Sequence, residues 1–122
     1  MKREVTMVAY PLTSEIPKYE NTKNRITGST FEVMEKLPDL LTDIGKVIEI
    51  VHYRKSGHFL TFFVGEKFNI VVDSGLTSGY AGTGANRFVD VLKIIGVEED
   101  EAKNIVRNKH GYDNAEIVVY FQ

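Results

Sequence analysis

Apolar and polar positions change rhythm along the chain, and the changes divide it into elements. VTMVAY (residues 5–10) is rich in strand-forming side chains and is closed by Pro11, which cannot donate to a ladder, so it predicts a first strand. Residues 13–28 are mostly polar, with Pro17, Asn21 and Asn24 and a basic cluster of Lys18, Lys23 and Arg25, and predict a long loop. Ser29 or Thr30 can cap a short helix through FEVMEKL, expected to stop near Leu37 because the residue before a proline avoids helical geometry. PDLLTDIG then reads as a second short helix, opened by Pro38 and ended by Gly45.

The middle of the chain is dominated by β-branched and aromatic residues: KVIEIVHYR, HFLTFFV and FNIVVD, separated by KSG and GEK, predict an antiparallel meander. NRFVDVLKIIG places Phe88, Val91, Leu92 and Ile95 at helical spacing, with Gly96 as the stop. EEDEAKNIVRNKHG begins with Glu98, Glu99, Asp100 and Glu101 and ends with Arg107, Lys109 and His110 before Gly111, so its charges complement a helix dipole at both ends. AEIVVYF (residues 115–121) supplies a last strand. The fold expected is α+β: one domain over residues 1–122, an antiparallel β-sheet meander with helices packed mainly on one face and no internal repeat.

Composition narrows the functional classes. With 122 residues and 43% hydrophobic content the chain can bury the core of one domain. Fifteen Lys plus Arg stand against seventeen Asp plus Glu, so no broad basic field favours long DNA or RNA as a partner. The absence of cysteine removes disulfides, thiolate nucleophiles and thiolate metal sites together. The start MKREVTMVAYPL interrupts its apolar residues with Thr6 and Pro11, which leads us to expect no secretion signal, no membrane partner and a cytoplasmic location.

The candidate chemistry centres on SGLTSGYAGTGANRFVDVLKIIG (residues 74–96), which carries five glycines. It is neither a dinucleotide fingerprint nor a P-loop, since GTG lacks the third glycine and no Gly-Lys-Ser/Thr follows. What remains is a glycine-rich turn, including Gly82 and Gly84, that delivers backbone N–H groups to a helix N-terminus. Thr83 can cap that helix and Asn86 can reach back as an amide version of a capping box. The first turn carries Arg87 and no acid before Asp90, a contrast with the acid-rich next helix that suggests an anionic ligand. The plainer alternative is a tight connector, with Arg87 solvated and Tyr80 packed over the sheet.

Catalytic constellations are scarce. His52, His58 and His110 sit in HYR, HFL and HGY, none of them a His-x-Thr or His-x-Ser tripeptide of a two-histidine phosphodiesterase. His52 and His58 can approach across the first hairpin of the meander, but two histidines without a third ligand make a weak metal site. Ser74, Thr77 and Ser78 offer hydroxyls without a matched base. No catalytic residue, metal site or cofactor is assigned.

The small size, the strand-rich middle and SGYAGTGANRFVDVLKIIGV resemble the phage anti-Thoeris proteins, Thoeris anti-defence sponges that sequester cyclic ADP-ribose signals; the likeness rests mainly on residues 68–109. The resemblance implies a non-enzymatic, nucleotide-binding protein acting in the cytoplasm of a phage host. It would hold glycocyclic ADP-ribose intact and so keep a TIR-based defence off. It also implies a homo-oligomer, dimer or higher, with pockets at subunit interfaces, and in some members separate sites for cyclic oligonucleotides. Carried over by position, Asn86 and Arg87 would meet ribose and phosphate and Phe68 or Tyr80 the adenine face. Gly82, Thr83 and Gly84 would form the backbone cradle, and Arg107 and Lys109 would close on the pyrophosphate, from a neighbouring subunit in the arrangement expected here. Two other classes stay open: an enzyme that cleaves a cyclic nucleotide, and an interaction protein whose glycine loop is only a connector.

Overall fold

A computed structural model describes residues 2–16 and 22–122, the side chain of Lys23 excepted. The strands are β1 (Val5–Pro11), β2 (Thr22–Thr27), β3 (Val47–Lys55), β4 (His58–Gly65), β5 (Asn69–Asp73) and β6 (Ala115–Phe121), and the helices are α1 (Thr30–Asp43), α2 (Thr83–Ile95) and α3 (Glu99–Arg107). They build one six-stranded sheet in the order β1-β6-β3-β4-β5-β2. The meander β3-β4-β5 is antiparallel, as its alternating β-branched runs lead one to expect, and β6 enters between β1 and β3, antiparallel to both. The protein is thus an α+β domain.

One expectation fails at the sheet edge. TKNRIT lies within the stretch read as loop, yet it forms β2 and pairs in parallel with β5. Of its described side chains only that of Ile26 reaches the core, so the hydrophobic pattern that marks the other strands is missing. The strand is held instead by its ladder and by an ion pair from Arg25 to Asp73 on β5. Pro17, Lys18 and Asn21, read as part of the same loop, lie outside the described residues.

A second correction concerns α1, which is one helix across Pro38 and not two. Ser29, one of the two caps expected, is its N-cap and forms a full capping box with Glu32. Pro38 removes the N–H that would bond the Met34 carbonyl, but Val33, Leu37, Leu41 and Ile44 continue at i, i+4, i+8 and i+11 and are all buried. Burial of that continuous apolar face outweighs the local preference to break. α2 likewise buries Ala85, Phe88, Val89, Val91 and Leu92 and ends on Gly96 at φ 119°, a left-handed cap that suits glycine. α3 starts at Glu98 with acids filling its first turn, and stops at Arg107, before Lys109 and His110.

The core lies between the sheet and the helices, where Ile50, Phe63, Ile70, Val72, Ile117 and Val119 meet α1, α2 and α3. A smaller cluster of Val51, Tyr53, Leu60, Phe62, Val71 and Val118 occupies the other face, with Leu12 among them and Ile16 against it. Strand alternation therefore sends neighbouring residues of β3 into different clusters.

If α1 is continuous, Pro38→Ala restores a backbone donor inside a helix and should raise the unfolding free energy by about 1 kcal/mol or more in urea titration. A loss of stability would instead mean that Pro38 starts a separate helix.

Candidate functional site

The residues of interest gather where β3 ends, where α3 gives way to residues 108–114, and where residues 74–82 lead into α2. Two contacts draw these segments together. Gly79 N donates to the Val106 carbonyl at 2.7 Å. Arg54, on the helix-side face near the end of β3, donates from Nε to the Asp113 carbonyl (2.9 Å), from Nη2 to the Lys109 and Tyr112 carbonyls (3.0 and 2.6 Å), and from Nη1 to Ser78 Oγ (2.8 Å). Gly79 has φ 87°, and a side chain there would lie 3.0 Å from Arg54 Nη1. Only glycine combines that backbone conformation with so close an approach.

Two residues before Arg54, and on the same face, His52 is enclosed. Its Nδ1 lies 2.7 Å from Thr61 Oγ1 and its Nε2 2.8 Å from Ser78 Oγ, with the Phe88 ring centroid 4.8 Å away. Burial first, and the Arg54 charge second, push the imidazole down to about 3, so it is neutral at ordinary pH. The proton order that uses each donor runs from Arg54 to the Ser78 oxygen, from the Ser78 hydroxyl to His52 Nε2, and from His52 Nδ1–H to Thr61. His52 and Ser78 are each 1% exposed; Ser78 forms part of a cleft wall, whereas His52 lies behind it. Ser78 had appeared to lack a matched base; His52 supplies the contact, in a structural setting. The signal for it was present in HYR, since residues 52 and 54 of one strand must share a face.

Over Arg54 opens a cleft of about 400 Å³, with Phe59, Tyr80, Lys109, Asp113 and Asn114 also lining it. Tyr80 and Lys109 thus share one cleft within one chain. Asn86 and Arg107 also meet within the chain, through an Arg107 Nη2 to Asn86 Oδ1 bond of 3.2 Å. Arg107, at the end of α3, and Lys109, just after it, thus already face the loop within one chain, where they were expected from a neighbouring subunit. Arg87 pairs with Asp90 at 3.1 Å, one turn along its own helix.

The glycine loop differs from the cradle expected. Gly82, not Thr83, is the N-cap of α2, and no side chain caps it; Thr83 is the first helical residue and is exposed. Asn86 makes no reciprocal cap and is engaged by Arg107. A side chain on Gly82 would meet the Tyr80 ring at 2.6 Å, and one on Gly84 would meet Thr77 Oγ1 at 2.7 Å and the Gly75 carbonyl at 3.1 Å. These missing side chains make room for the protein's own atoms. Phe68 stands before β5 while Tyr80 follows it, and it lines a different cleft with Lys67 and Asn69, so the two aromatics are not brought together. Nor do His52 and His58 converge, because His58 projects to the opposite face and bonds Asp73 at 2.9 Å. His110 bonds the Ile105 carbonyl at 2.9 Å. Among the described residues no group of three or more His, Asp or Glu is placed to hold a metal ion.

No family model, curated protein or solved structure matches the chain.

The His52 environment sets a pH dependence. Its ordinary value near 6.5 applies to the unfolded chain, so between about 6.5 and 3 the unfolded state binds the extra proton, and stability falls as pH drops through that window. Asp73 is held below the usual carboxylate value: burial opposes this but is outweighed by hydrogen bonds from His58 and Arg25, so its contribution is lost only below about pH 4. Urea unfolding at about pH 7.5 and pH 5 should therefore differ by about 2 kcal/mol through His52. His52→Gln should be less stable but nearly flat over that range; a slope equal to that of the wild type would refute the assignment.

Proposed function

We propose that the protein binds a cyclic ADP-ribose-type nucleotide, glycocyclic ADP-ribose in particular, and holds it without chemical change, as a sponge against a TIR-based Thoeris defence. The observation that carries this reading is the meeting of Tyr80 and Lys109 at one cleft of about 400 Å³, beside the paired Asn86 and Arg107. An aromatic face, cationic groups and an open concavity are what a base joined to a pyrophosphate requires. The likeness of residues 68–109 to the anti-Thoeris sponges points the same way. Sequestration is favoured over cleavage because the imidazole that contacts Ser78 is buried behind the cleft and is pushed far below the range in which a general base works at neutral pH. Assembly into a homo-oligomer, dimer or higher, belongs to the same proposal, since a second chain would cover a cleft that one chain leaves open. Binding of cyclic oligonucleotides at a further site would extend it.

The test is to incubate the protein with the product of a TIR enzyme, remove free nucleotide, denature and identify what is released by mass spectrometry. Intact cyclic ADP-ribose isomer is expected; a hydrolysed product would make the protein an enzyme, and no released nucleotide would remove the reading. Tyr80→Ala should keep the fold and weaken binding by about 1–3 kcal/mol, the range for stacking a base on an aromatic ring.

A further inference from the structure

Arg54 is a cation buried without an ion pair. A guanidinium has five N–H donors. Three carbonyls and the Ser78 hydroxyl take four of them, and the remaining N–H, on Nη1, has no acceptor among the described residues. All four acceptors are neutral, so they satisfy hydrogen bonds without cancelling the charge. The acid whose field reaches Arg54 is Asp113, but its carboxylate is 89% exposed and bonds Lys109 Nζ at 3.3 Å instead. Burial outweighs that attraction and depresses the guanidinium from its ordinary value. Arg54 is only 6% exposed, and what exposure it keeps is to the cleft under Tyr80. A cation in that position lowers its energy when an anion enters the cleft.

We infer that this cleft is an anion receptor with Arg54 as its fixed counter-charge, Lys109 as the exposed cation at its rim, and a phosphate or pyrophosphate group as its occupant. In terms of the nucleotide reading, on which the identity of the full ligand rests, the pyrophosphate sits against Arg54 and the base lies toward the Tyr80 and Phe59 rings. The α2 N-terminus is the rival location; Arg87 there is paired with Asp90, as Lys109 is with Asp113, and what sets the cleft apart is Arg54, buried and without an acid on it.

Calorimetric titration of the full chain with two probes, inorganic pyrophosphate and cyclic ADP-ribose, tests this. Wild-type protein should bind pyrophosphate. Lys109→Glu reverses an exposed rim charge without touching the core and should weaken that binding about tenfold or more. Arg54→Gln should abolish it, provided a cooperative melt shows that the variant folds; Lys109→Glu carries the test if it does not. Arg87→Glu, at the rival location, should leave pyrophosphate affinity within about threefold. Binding lost in Arg87→Glu and kept in Lys109→Glu would overturn the inference while leaving nucleotide sequestration standing. Pyrophosphate binding that depends on Lys109, with no affinity for cyclic ADP-ribose, would support the receptor and sink that identity for the ligand. No pyrophosphate binding by the wild type overturns the receptor.

Discussion

The hydrogen-bonding fork of Arg54 is the constraint around which this end of the molecule is arranged. It ties the end of a central strand to the segment after α3 and to the loop before α2. The latter two stretches have no ladder there, so the carbonyls of Tyr112 and Asp113 would need other donors if Arg54 were absent, while that of Lys109 also accepts from Tyr112 N. Lysine could not replace it, because its donors radiate from one atom and cannot reach three carbonyls and a hydroxyl at once. Ser78 extends the fork inward to His52, which explains how a fully buried imidazole is tolerated: both ring nitrogens have partners, and the neutral form avoids the cost of a second charge beside Arg54.

Regular elements with a strong apolar period were legible in the sequence, and those without one were not. β6 matches its expected span because AEIVVYF alternates between two buried faces, and α2 was visible from Phe88, Val91, Leu92 and Ile95. β2 was hidden because an edge strand that buries one isoleucine leaves no hydrophobic trace. α1 appeared as two helices because the rule about Pro38 is local, while the energy that keeps the helix whole comes from Val33, Leu37 and Leu41 packing on the sheet. The candidate site was legible in part. Tyr80 and Lys109 were singled out from separate motifs and share a cleft, but Arg54 was not, because its significance depends on carbonyls between residues 109 and 113, which no side-chain pattern encodes.

The glycine loop illustrates how one composition serves two ends. Small residues were expected at the point where a phosphate approaches backbone, yet at Gly82 and Gly84 the space is filled by Tyr80 and Thr77. The effect is to fix the Tyr80 ring over the chain that leads into α2, with nearly half its surface open to the cleft side. Glycine here shapes the surface indirectly, by leaving room for an aromatic side chain. A ring so seated loses little rotational freedom when a flat group stacks on it.

The strand order has a consequence for biosynthesis. β6 supplies the hydrogen bonds on one side of β3 and all of those that β1 makes within the sheet, so neither strand is fully paired until residues 115–121 have left the ribosome. Until then β1, which precedes the other strands, must wait with Val5, Met7 and Ala9 unshielded, while the locally connected β3-β4-β5 meander can already form. The sheet is therefore completed by the insertion of its last strand between two that are made earlier, and the nascent chain is most exposed to misassociation just before that step.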